Sequence, residues 1–109
     1  MNRADFDMRV RNWACRLRVR PVQVRVQSMT RKWGSCSPQG RVSFARDLLD
    51  QKVEFQDYVI AHELLHLRIR NHGKLFSATL RAHLRGNPWL SVKADQAPTA
   101  DPRIKVPPG

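Results

Sequence analysis

His62 and His66 stand four residues apart with Glu63 beside the first, inside the run DYVIAHELLHLRIRNH that spans Asp57 to His72. Three of the chain's four histidines fall in this run, among residues that are mostly Leu, Ile, Val and Ala. At about 100° per residue, Tyr58, Ile60, Ala61, Leu64, Leu65 and Leu67 spread over most of a helix's circumference. His62 and His66 then lie about 40° apart on one narrow polar stripe, with Glu63 and Arg70 next to it. A helix of this kind must be surrounded by the rest of the chain and must line something. A segment from about residue 53 to 70 is therefore the expected centre of the fold.

The elements around it follow from periodicity. Phe6, Val10, Trp13, Ala14 and Leu17 recur at helical spacing, which predicts an amphipathic helix over about 4–17. PVQVRVQSM alternates, with Val22, Val24 and Val26 on one face, and reads as a half-buried strand begun by Pro21. WGSCSPQG has turn chemistry in Gly34, Pro38 and Gly40, and RVSFARDLL follows as a second strand with Val42 and Phe44 inward. The two strands are expected to pair as a hairpin through a long loop. A further helix is expected over about 74–85, after Gly73 and before Gly86-Asn87-Pro88. The fold class is α+β: an N-terminal helix, a β-hairpin or small antiparallel sheet, the histidine-bearing helix and a following helix. With 109 residues there is room for one domain with one core, expected over 1–93. The proline-rich ADQAPTADPRIKVPPG, 94–109, lacks periodicity and is expected to form a loose tail.

Imidazoles at i and i+4 lie one above the other on a helix, so both reach one zinc ion. The neighbouring glutamate points alongside the metal, where it can take a proton from an activated water. From this composition, chance would supply roughly 0.002–0.003 occurrences of the His-Glu-x-x-His pattern, so it is read as a site. A catalytic zinc site needs a third protein ligand and leaves a position for water. No glutamate follows Glu63, and the downstream aspartates, Asp95 and Asp101, fall in the tail. That leaves His72 and His83. His72 is preferred, at the six-residue interval of HExxHxxGxxH proteins, although Ile69 stands where those proteins have glycine. Six more helical residues would turn His72 about 240° away, so the helix must end or bend near Arg70–Asn71, with Asn71-His72-Gly73 suited to a left-handed cap. His83 reads as an ordinary residue of the next helix.

Tyr58, one turn before His62, is a candidate to steady an oxyanion; the plainer use is a tyrosine packed at the start of a buried helix. Cys36 reads as a small buried hydrophobe, with a role as an additional zinc thiolate as the alternative. Two cysteines, Cys15 and Cys36, do not make a disulfide framework and suit a cytoplasmic protein. No run of 18 apolar residues is present and the first residues carry charge throughout, so neither a membrane span nor a secretory signal is expected. The net charge of +11 attracts polyanions, which makes nucleic acid a candidate partner beside a peptide or protein substrate; the plainer use of the charge is a well-solvated surface.

Residues 31–76 carry a resemblance: Trp33-Gly34-Ser35-Cys36, then Asp57-Tyr58-Val59, then His62-Glu63-Leu64-Leu65-His66-Leu67, then Asn71-His72-Gly73 and Phe76. In this order the motifs resemble the YgjP-like metallopeptidases, relatives of the SprT-like and WLM zinc proteases. The resemblance implies a minimal zincin-like α+β fold, zinc on His62, His66 and His72, and Glu63 as general base. The leading expectation is thus a zinc-dependent metallohydrolase that cleaves peptide bonds. Two alternatives are a SprT-like protease acting on DNA-bound or crosslinked proteins, and a basic nucleic-acid-binding module whose zinc is structural.

Overall fold

Asn2 starts the first helix, α1 (Arg3–Leu17), its side-chain oxygen accepting the Asp5 amide at 2.8 Å. Arg18 ends it in the left-handed conformation, φ 57° and ψ 49°. A computed structural model describes the chain over residues 1–91; the expected boundary at 93 and the segment 94–109 lie outside the described residues. The five apolar positions read from periodicity, Phe6, Val10, Trp13, Ala14 and Leu17, are all buried. Each large side chain of this kind contributes about 1.5–3 kcal/mol by leaving water.

They pack against α2 (Val53–Leu65), the predicted central helix. Nearly its whole surface is covered, because Phe55, Val59, Ile60, Ala61, Leu64 and Leu65 are buried on different sides of it. One polar clamp fixes the two helices. Asp57 accepts from Arg9 Nε at 2.6 Å, Arg9 Nη2 at 3.1 Å and Trp13 Nε1 at 2.9 Å. Gln56, also buried, donates to the carbonyls of Leu48, Leu49 and Gln51, which ties α2 to the 3-10 turn Arg46–Asp50. That turn begins where the second strand was expected to continue through Leu49.

The sheet has three strands, β1 (Gln23–Gln27), β2 (Gly34–Cys36) and β3 (Arg41–Ala45), in the order β1-β3-β2. Here the expected pairing is corrected. β1 runs parallel to β3, with Val24 beside Val42 and Val26 beside Phe44; the hairpin is instead β2 with β3, antiparallel. The reason is that Gly34-Ser35-Cys36, read from sequence as part of a turn, is strand. Trp33 is fully buried, its carbonyl takes the Ala45 amide at 2.9 Å, and the next three residues claim the free side of β3. The tight turn falls at Ser37–Gly40, closed by Gly40 N to Ser37 O at 3.0 Å, and Gly40 supplies the positive φ of 87° that this turn requires. The last helix, α3 (Lys74–His83), follows Gly73 and leads to a 3-10 turn at Pro88–Ser91. No helix among the described residues is long and apolar enough to cross a membrane.

Candidate active site

α2 stops earlier than its apolar pattern suggests. After Leu65 the bonding tightens to i→i+3, with Leu67 N to Leu64 O and Arg68 N to Leu65 O both at 3.0 Å, and no residue between 66 and 73 adopts positive φ. The expected left-handed cap at Asn71-His72-Gly73 is thus replaced by a 3-10 ending, and Gly73 serves as the extended residue before α3. The early stop solves the 240° problem. The freed loop carries His72 back over the helix end.

His62, His66 and His72 come together, each offering a ring nitrogen, and these nitrogens lie within 4.8 Å of one another. The ring centroids are 4.9 Å apart for His62–His66, 5.2 Å for His62–His72 and 4.4 Å for His66–His72. His83, the other candidate third ligand, does not join them. Among the described residues no fourth His, Cys, Asp or Glu completes the cluster, and Cys36 is not part of it.

The donor set fits a divalent metal ion. His66 Nδ1 is held by the Ile69 carbonyl at 3.1 Å, which fixes the ring and leaves Nε2 as its free nitrogen. His62 Nδ1 is buried and makes no hydrogen bond among the described residues; Glu63 Oε2 is 3.6 Å away, beyond hydrogen-bonding distance. Burial, and after it the proximity of His62, hold His66 and His72 below the ordinary imidazole range. Both rings therefore keep the neutral form that a metal needs at neutral pH.

Three supports around the trio were not legible one residue at a time. Phe76, on α3 and buried, backs all three imidazoles: 5.0 Å from His62, 4.6 Å and stacked on His66, and 4.9 Å from His72. Gly34, read from sequence as a turn residue, is where β2 touches Glu63. A Cβ there would stand 2.8 Å from Glu63 Cγ, and 3.3 Å from both the Ser43 carbonyl oxygen and Val59 Cγ1. Glycine is needed for space. The third is β2 itself, which ends the sheet on the side facing Glu63.

Glu63 is 5% exposed, so its carboxylate is nearly shut away from solvent beside the cluster. Tyr58 is half-buried and shares a cleft of about 230 Å³ with His62, His72, Phe76, Leu80 and Arg81. Burial first, and then the Glu63 charge, push the Tyr58 hydroxyl up, so it stays a proton donor. It makes no hydrogen bond to another described residue. The same two causes push the Cys36 thiol up, with Arg70 pulling the other way.

Comparison with known proteins agrees with this architecture. Among curated proteins none matches. Among solved structures, the crystal structure of the metallopeptidase zymogen of Pyrococcus abyssi abylysin is similar. Its TM-score is 0.62 at 19% sequence identity, over 70% of this chain and 76% of that one. At that identity the likeness concerns the fold. A family model described as YgjP-like, metallopeptidase domain, matches residues 2–91, which takes in every element described above. The chain therefore belongs to the YgjP-like metallopeptidase family.

Proposed function

We propose that this protein is a zinc-dependent peptidase in which His62, His66 and His72 hold the metal and Glu63 is the general base. The observation that carries the reading is the open trio of imidazoles with one buried carboxylate beside it. Three histidines suit zinc, and a set of three leaves a position for water and substrate, whereas structural zinc sites close with four protein ligands. A bound zinc ion supplies Lewis acidity to the attacking water and to the scissile carbonyl. Glu63 accepts the proton of that water on its carboxylate and passes it to the nitrogen of the leaving amine. The Tyr58 hydroxyl, protonated and in the same cleft, donates to the oxygen that gains charge. The outer edge of β2 holds the peptide extended by adding it as a strand, next to Glu63.

The test compares metal content and hydrolysis in one set of variants. Glu63→Ala should keep about one zinc per chain and lose a hundred- to ten-thousand-fold in turnover of a peptide substrate. His62→Ala should lose the zinc. Unchanged turnover in Glu63→Ala would sink the mechanism, and a zinc whose removal unfolds the chain without any hydrolysis in its presence would favour the structural role.

A further inference from the structure

A cavity larger than the histidine cleft lies elsewhere among the described residues. A groove of about 820 Å³ runs along α1 and β1, and none of the clustered histidines lines it. Its floor is apolar, from Val10, Ala14, Val19 and Val24. Its rim carries Arg3, Arg11, Arg18 and Arg20 against one acid, Asp7, which Arg3 already pairs with at 2.8 Å. A second groove of about 330 Å³ shares Arg18, Val19 and Arg20 with the first and continues to Arg68 and Arg70. Arg70 lies two residues before His72, and its charge, like that of Glu63, acts on Cys36. The two grooves form one cationic track from the first helix to the lip of the candidate active site. Among the described residues no ion pair joins Arg11, Arg18, Arg20 or Arg70 to a carboxylate. Arg18, at the junction, occupies a left-handed position where glycine is the unstrained residue.

We infer that this track is a docking groove for an extended, acidic segment of a protein, which guides that segment toward the histidine centre. Three observations favour a polypeptide over a nucleic-acid strand. An apolar floor gains from alternating aliphatic side chains and gains nothing from a sugar-phosphate backbone. No aromatic residue lines either groove, so bases have no stacking platform. β1 is the other edge of the sheet and Val24 opens onto the groove, so an extended peptide can add there while its acidic side chains meet the arginines. That the docked segment belongs to a substrate rests on the peptidase reading above; the binding does not.

The test measures binding apart from cleavage. Metal-loaded full-length Glu63→Gln is titrated against a short fluorescein-labelled peptide alternating glutamate and valine, by fluorescence anisotropy at low salt. The controls are the same peptide with lysine for glutamate and a polythymidylate oligonucleotide. The acidic peptide should bind and the lysine peptide should not. Arg18→Gly combined with Arg20→Ser should weaken binding about tenfold, at about two- to fivefold for each exposed charge. Arg18→Gly alone should raise the Tm while still weakening binding, which separates lost docking from lost folding. Equal binding of the lysine peptide, or no effect of the double substitution, would overturn the proposal. So would an oligonucleotide that binds more tightly with the same arginine dependence, since the track would then belong to phosphate. If the acidic peptide binds as expected but no peptide is ever hydrolysed, the peptidase reading fails and the groove stands.

Discussion

Gly34→Ala tests whether the sheet positions Glu63, the proposed base. Its new Cβ would lie 2.8 Å from Glu63 Cγ, whereas carbon atoms in contact sit about 3.5–4.0 Å apart. Something must move by about 0.7–1.2 Å. The Ser43 carbonyl and Val59 Cγ1, each at 3.3 Å, block the other directions, and Glu63 is met at its Cγ and not at the free end of its side chain. Overpacking of this size costs about 1–3 kcal/mol, or about 4–24 °C in Tm for a domain near one hundred residues. A shift of about 1 Å at a catalytic group costs on the order of a hundredfold in rate. None of the three atoms nearest the new Cβ belongs to a histidine of the cluster, so zinc content should not change. The assay is kcat/KM on a quenched peptide, with zinc content and Tm measured on the same samples. Wild-type kcat/KM in Gly34→Ala would refute the reasoning. Activity that falls only in proportion to lost zinc would refute it too, because the metal and not Glu63 would then have been disturbed.

Asp57→Ala removes a part-buried acceptor of three charged or indole donors and should destabilise the chain by about 1.5–3 kcal/mol in urea unfolding; a loss under about 0.5 kcal/mol would mean the clamp is dispensable. His72→Ala should abolish zinc binding and His83→Ala should leave it intact, measured by metal content after dialysis; the opposite pattern would reassign the third ligand. Iodoacetamide should modify exposed Cys15 ahead of Cys36, whose thiolate burial and Glu63 disfavour. Because Glu63 raises the Cys36 pKa and Arg70 lowers it, Glu63→Gln should move Cys36 alkylation to lower pH and Arg70→Gln to higher pH; a profile unmoved in both would refute the placement of Cys36 between the two charges.

Local rules reached far in this chain. The spacing of Phe6, Val10, Trp13, Ala14 and Leu17 named the buried face of α1 without error, because a helix repeats on a period that sequence displays. The same period stacked His62 on His66; the scarcity of other ligands left His72 and His83, and the six-residue interval after His66 pointed to His72. What periodicity cannot carry is the relation between segments far apart in the chain. Val24 and Val26 of β1 and Val42 and Phe44 of β3 alternate as read, although Val22, read on the same face, lies before β1 and is exposed. Yet alternation is the same for parallel and antiparallel partners. Only the burial of Trp33, which lays Gly34–Cys36 along β3, decided that β1 would run parallel on its other side.

The candidate site divides in the same way. Which residue types could hold a metal and move a proton was determined by sequence, since imidazole and carboxylate chemistry belongs to the side chains themselves. Where α2 stops was decided by tertiary structure: its apolar pattern runs past Leu65, and the turn that ends it uses no residue with a helix-breaking signature. Gly34 shows the same limit. Sequence marks it as a place for a turn, and only the approach of Glu63 from another element turns its missing side chain into the space that carboxylate side chain occupies.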